Sequence, residues 1–475
     1  MTTYEHITYN SNKVQVDSAI RDGNGLKINT NYLTKKEAAR IYATKDELET
    51  AIETGEYTAP KYWGITIDET VSDPSTRVQY TQDLNTGQGI YKNAIPTTAT
   101  PMSGAGSSFN IGSWGSGVLA NLIEGIKPVA FDGSVWRDLD KSDATQWALT
   151  TNENAFTEFP FRWLSITKNE NNVVTVIFSN TSEAPDNTFQ NYAFLGADGV
   201  TQRPNFHIGC YPAKKSGTVL TSKPGSGADN INASYYWYYA YNMGSEFDCI
   251  TYAMWVYMQM LFYVLFKSTD TAAMADGAYK NTNLTYNALQ YGNSYGIYGN
   301  PSDTYYKTTT SFFWVQALHD RHPQLTASIL VSRTRSYRMF YVLESMADPN
   351  KWDNNSWGGT GYAIFSNVIA NDAIDTNVQL SRVGYAGYIY GKGNNELGVM
   401  IQSGSGSSTT YYPGSVYTSN MNAGGSTDYP YFIGLGRGSA GSKSGWSSIF
   451  VDADTLSGYA SNTVTSRLAY RGGRT

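Results

Sequence analysis

Apolar residues recur at Ile250, Met254, Tyr257, Leu261 and Val264, the spacing that stacks side chains on one face of an α-helix. Aromatic and aliphatic residues fill most positions between them. The helix this pattern predicts is therefore apolar on every side and has to be wrapped by other structure. Ser245, with Asp248 three residues on, marks its expected start, a hydroxyl cap followed by an acid in the first turn. Lys267 marks its end. From Cys249 to Phe266 the run just reaches the minimum for a membrane crossing, about 18 residues. Thr251, Gln259 and the aromatic rings dilute it, and no cluster of positive charge flanks it. The pattern predicts a core helix over Ser245–Phe266 and no membrane insertion.

Elsewhere the dominant period is two. Alternation in "YWGITID" and "RVQYT", separated by the turn "SDPST", predicts a hairpin. "IKPVAFDGSVWRDLD", "FPFRWLSIT" and "NVVTVIFSN" read as further strands, and "LTASILVSRTRSYRMFYVLES" as a strand pair. "TTATPMSGAGSSFNIGSWGSG" reads as a loop or linker and "AKKSGTVLTSKPGSGADN" as a flexible loop. Residues 1–55 stand apart: a short strand in "GLKIN", then a polar helix from Thr34 to about Thr54. Thr34 with Glu37 and Thr44 with Glu47 have capping-box spacing. A polar helix this short buries no core alone, so this segment is expected to associate with copies of itself or with a partner; a solvated helical linker is the alternative. The fold class is α+β and mainly β, with one long buried helix.

Composition sharpens this picture. Charged residues make up only 16%, aromatics 14%, and there are 38 Tyr and 45 Gly, as in a β-rich chain with many turns. A net charge of −6 without a basic stripe argues against nucleic-acid binding and against an anionic membrane surface. Cys210 and Cys249 are the only cysteines; they make neither a disulfide framework nor a zinc site and are expected as two buried thiols. The opening "MTTYEHITYNSNK" has no apolar core of a signal peptide.

Motifs for chemistry are sparse. The His pair in "HDRH", His319–His322, has no HExxH, GxSxG or P-loop beside it and reads as a polar loop. Asp348, Asn350, Asp353 and Asn354 in "DPNKWDNN" offer oxygen ligands of the kind calcium takes; an Asx-rich turn is the plainer reading. No metal or cofactor is assigned. Paired carboxylates for glycoside hydrolysis do not stand out among the scattered Asp and Glu. The densest recognition chemistry lies in the Gly/Ser-rich residues 403–446, which carry Tyr411, Tyr412, Tyr417, Asn420, Asn422, Tyr429, Tyr431, Arg437 and Trp446. Ordering such loops costs about 1–2 kcal/mol per residue in backbone entropy, and long loops are usually kept where they bind something. Aromatic faces suit sugar rings or protein anchors, and Asn and Ser supply adaptable hydrogen bonds.

Two stretches resemble known proteins. "VDSAIRDGNGLKINTNYLTKKEAARIYATKDELETA" is similar to N-terminal segments of phage fibre proteins, and "YWGITIDETVSDPSTRVQYTQD" resembles a strand pair common in structural proteins of phages of Gram-positive hosts. More loosely, the second half resembles the C-type-lectin-like domains of phage receptor-binding proteins, including tropism determinants diversified by retroelements. The features that carry this are the helix Ser245–Phe266, the Gly/Tyr/Ser/Asn-rich loops and the strand "SRLAYRGG", Ser466–Gly473. The second half is longer than a minimal domain of that kind. The resemblance implies residues 1–55 as a virion attachment and oligomerisation segment, 56–96 as a β-hairpin connector, 97–230 as a β-rich middle domain and 231–475 as a C-type-lectin-like binding domain. With it go a homotrimer on the virion, attachment to other virion proteins through residues 1–55, and a host cell-surface glycan or protein as partner. The chemistry of residues 403–446 makes them the expected receptor surface; packing against a neighbouring subunit is the alternative. The same modules serve tail fibres and head-decorating fibres. A glycan depolymerase on the same particle is the enzymatic alternative, and buried carboxylates facing each other would favour it.

Overall fold

The computed structural model describes residues 61–269 apart from 69, 72, 74, 86–89, 140–148, 150–151, 172, 199 and 227–230, then 294–297, 311–316 and 466–474. For residues 231–235, 237 and 252, for a few strand ends, and for the strands at 7–34, 285–286 and 324–465, it describes backbone path and pairing only. The chain forms two compact units, Met1–Pro60 and Lys61–Thr475.

The first unit holds a three-stranded antiparallel sheet of Ile7–Asn10, Lys13–Val16 and Leu33–Thr34. Ile20–Arg21 pairs with Lys27–Ile28, within the stretch "GLKIN" expected to be a strand. The helix expected after Thr34 lies outside the described residues; Thr34 itself ends a strand.

The second unit is mixed α+β and β-rich, with several antiparallel sheets and few helices. One sheet has five strands in the order Phe189–Gln190, Trp163–Lys168, Val173–Ser179, Tyr62–Asp68, Val78–Gln79. The hairpin read from "YWGITID" and "RVQYT" is present, with Thr66 opposite Gln79 and Ile67 opposite Val78. The turn between them is held by Asp73, whose carboxylate accepts from the backbone N–H of Ser75 and Thr76. Gly64 belongs here because a Cβ in its place would stand 2.6 Å from the Val176 carbonyl oxygen on the neighbouring strand.

The other principal sheet has six antiparallel strands in the order Trp136–Asp138, Lys127–Phe131, Asn154–Pro160, Asn205–Gly209, Leu468–Tyr470, Phe247–Cys249. It is strongly curled. Phe131 and Phe247 lie four strands apart, which would be about 19 Å in a flat sheet, yet their ring centroids are 5.5 Å apart. Strands from the expected connector, middle and C-terminal segments thus share these two sheets. "FPFRWLSIT", read as one strand, is two: Asn154–Pro160 ends in the six-stranded sheet and Trp163–Lys168 joins the five-stranded one. Arg162 sits at the break and donates to the carbonyls of Asn121 and Glu124 at the end of helix α1 (Gly117–Ile123).

Helix α2 (Ala233–Tyr241) packs near the strand Phe247–Cys249. Helix α3 (Tyr252–Phe266) fills the space between the two sheets. Its Tyr257 ring meets Phe159 and Phe206 of the six-stranded sheet edge-on at 6.3 and 5.4 Å, and Phe178 of the five-stranded sheet at 5.2 Å. No residue from Met254 to Leu265 is more than 2% exposed. The helix starts later than its pattern implied. Phe247–Cys249 is a strand paired with Leu468–Tyr470, so Asp248 is no first-turn acid; the cap is Thr251, whose hydroxyl accepts from the Met254 N–H at 3.2 Å. At the far end Tyr80 and Met102 donate to the last-turn carbonyls of Val264 and Leu265, groups a helix leaves without internal partners. At 15 residues α3 is about 22 Å long, and among the described residues no helix is long and apolar enough to cross a membrane.

Two segments read as loops are more ordered than that. The stretch around 97–117 buries Met102 and Trp114 and bonds to α3. "AKKSGTVL" forms the hairpin Lys214–Ser216 with Val219–Thr221. Tertiary contacts supply the burial that their Gly- and Ser-rich composition lacks. Cys210 and Cys249 are free and buried.

Candidate functional site

The sequence placed recognition at residues 403–446. Tyr411, Tyr412, Asn420, Asn422, Tyr429, Arg437 and Trp446 lie outside the described residues, as do His319–His322 and Asp348–Asn354. Tyr417 and Tyr431 fall in an eight-stranded sheet, on the strands Val416–Ser419 and Pro430–Leu435 that flank Ile449–Leu456. Their register partners on that shared strand are Phe450 and Leu456, six positions apart and so about 20 Å along it. The backbone does not bring these two tyrosines together.

The densest described polar cluster is elsewhere, on the inner face of the curled six-stranded sheet. Lys127, Glu158, His207 and Tyr470 occupy one row across four strands, each opposite the next in register. Every second residue of a strand shares a face, which puts Asp138, Val129, Phe156 and Trp136 on this side as well. Lys127 Nζ lies 2.9 Å from Asp138 Oδ2 and 3.6 Å from Glu158 Oε1. Arg474 Nη1 contacts both of the same carboxylates. Glu158 Oε2 receives the His207 Nε2–H at 3.0 Å, and the Trp136 ring packs on the imidazole with centroids 4.4 Å apart.

The charge states follow from this geometry. Burial pushes the Glu158 carboxyl up, but the His207 hydrogen bond and the charges of Lys127 and Arg474 outweigh it and hold it below its ordinary value. For Asp138 the same opposition of burial with Lys127 and Arg474 also ends lower. His207 is buried and its pKa is depressed by desolvation, with Glu158 opposing. Because the carboxylate only accepts, the neutral ring donates through Nε2 and leaves Nδ1 bare; that atom is buried without a hydrogen-bond partner. Protonation would create a buried N–H with no acceptor, so the ring resists it.

Two carboxylates that share two cations resemble, at first sight, a glycosidase pair. Such chemistry needs one carboxyl kept protonated, and both of these are held in the ionised range. The arrangement is suited to clamping strands together.

That clamp has a pH signature. In the unfolded chain His207 takes up its proton near the ordinary value, about 6.5, before the folded chain does, so stability falls as pH drops below that point. Glu158, with its lowered pKa, adds a further loss only below about 4.5. We expect the stability difference between the natural chain and His207→Gln to shrink from about pH 7 to about pH 5, by roughly 1.4 kcal/mol for each unit over which the folded ring stays neutral. Asp248, which burial raises to about 6 against the pull of Arg471, has the opposite trend, but it is common to both chains and cancels. Urea midpoints at the two pH values check this; parallel curves would show that His207 does not titrate differently on folding.

None of the cluster was singled out by sequence. The alternation in "NAFTEFP" and "NFHIG" shows which residues share a face, but the register that sets Glu158 opposite both Lys127 and His207 is a pairing of distant segments. Among the described residues, no group of three His, Cys, Asp or Glu is placed to hold a metal ion. The chain matches no protein-family model, and no curated protein matches it.

Proposed function

We propose that this chain is a phage virion structural protein, a fibre or receptor-binding subunit that assembles as a homotrimer. Residues 1–55 attach it to the particle, and the large unit displays a lectin-like surface to the host. The observation that carries this reading is the separation at Pro60/Lys61: the segment resembling fibre attachment regions lies in a small unit of its own. The described carboxylate pair, lacking a protonated partner, favours binding over glycan cleavage. The strand Leu468–Tyr470, one of the features on which the lectin-like resemblance rests, lies inside the six-stranded sheet, between Asn205–Gly209 and Phe247–Cys249. Antibody raised against residues 61–475 should label intact particles, and the position of the label separates tail from head. Purified particles that carry neither label nor peptides of this chain would overturn the proposal.

The receptor surface is assigned to the loops of 403–446. Replacing Tyr411 and Tyr412 together by alanine is expected to weaken adsorption to host cells at least tenfold, with folding and assembly unchanged. A tenfold loss is only about 1.4 kcal/mol, within what one buried aromatic anchor contributes. Unchanged adsorption by a correctly assembled double mutant would move the receptor site away from these loops.

A further inference from the structure

The strand Phe247–Cys249 immediately precedes the cap of α3, and it is the last strand in its sheet order. Its one ladder neighbour among the described residues is Leu468–Tyr470, which enters the sheet between it and Asn205–Gly209. Without that strand, Phe247–Cys249 has no ladder partner among the described residues, and Asn205–Gly209 loses its neighbour on that side.

The segment around that strand is fastened at many points. Ser466, Arg467, Leu468 and Ala469 are fully buried, and Arg471 is 4% exposed. The Arg467 guanidinium donates to the carbonyls of Gly209 and Gln316, and its own carbonyl accepts from the Ile250 N–H at 2.7 Å, one residue before the Thr251 cap. Arg471 Nη1 lies 3.4 Å from Asp248 Oδ2, and its Nε donates to the Leu195 carbonyl at 3.1 Å. Asn205 both donates to and accepts from the Arg474 backbone, at 2.7 and 2.6 Å. Gly473, at φ +73°, makes the bend that allows this. Three arginines spaced through "SRLAYRGGR" thus tie one short segment to the strands on both sides and, through Gln316, to the chain beyond α3. A buried arginine left without acceptors is strongly destabilising, so Arg467 and Arg471 hold the segment only when their acceptors on the neighbouring elements are in place.

We infer that residues 466–474 are the closing key of the core. Docking of this segment sets the strand Phe247–Cys249 and α3 in place, so both ends of the 267–465 excursion belong to one cooperative unit.

Hydrogen exchange on the full chain tests this. As urea rises below the unfolding midpoint, the amides of Asn205–Gly209, Phe247–Cys249, α3 and Leu468–Tyr470 should merge into a single opening reaction. Opening of Leu468–Tyr470 at lower urea than the rest, with α3 still protected, would overturn the inference. A second measurement uses Arg467→Met: protection should fall at least tenfold in Phe247–Cys249 and α3 as well as in 466–474. A fall confined to 466–474 would likewise overturn it. If the variant does not fold, the urea series on the unmodified chain decides alone.

Discussion

Replacing Met258 by aspartate is expected to abolish folding of the large unit. Met258 is fully buried at the middle of α3, and the helix lies between two sheets that meet it with aromatic rings. A carboxylate there has no water and no designed partner. Burying an unpaired charge costs several kcal/mol or forces the group to neutralise, at a cost of its own. The whole stability of a domain is only about 5–15 kcal/mol, and α3 belongs to the main core cluster, so the loss is not local. Met258→Leu, close in volume, should cost less than about 1.5 kcal/mol. The pair is read by the soluble yield of full chain and by urea unfolding followed through tryptophan fluorescence. An aspartate variant with the natural unfolding midpoint would mean that this side of α3 meets water.

Removing residues 1–60 is expected to leave a folded large unit that no longer joins the particle. Contacts within the chain divide at Pro60/Lys61, and the first described strand of the large unit, Tyr62–Asp68, is complete on the far side of that boundary, paired with Val173–Ser179 and Val78–Gln79. The truncation leaves the described pairings of Tyr62–Asp68 in place, and the unfolding free energy of the large unit should change by only a few tenths of a kcal/mol, the range of substitutions away from a core. Incorporation into particles should fall to background, because the attachment segment of the proposed function is gone. Normal copy number of the truncated chain on purified particles would place attachment in the large unit instead. Unfolding of the truncated chain would show that the two units stabilise one another.

What the residues themselves determined is local. The apolar run forced a helix that water cannot touch, since its side chains leave no polar face; its 3.6 period, read from Ile250, predicted a helix over Ser245–Phe266, of which Tyr252–Phe266 is helical. Period-two alternation and turn residues marked the hairpin of Tyr62–Asp68 with Val78–Gln79, the strand Val173–Ser179 and the pair Gln324–Arg333 with Arg338–Leu343. Only the tertiary structure decided the rest, because each remaining feature joins segments far apart in the chain. The start of α3 moved from Ser245 to Tyr252 because Phe247–Cys249 found a ladder partner at Leu468–Tyr470. The sheet curled until Phe131 met Phe247, and the register of three strands assembled Lys127, Glu158 and His207 into one clamp. Side-chain spacing encodes which face a residue takes; it does not encode which distant strand will lie beside it, and that choice is made by the whole core at once.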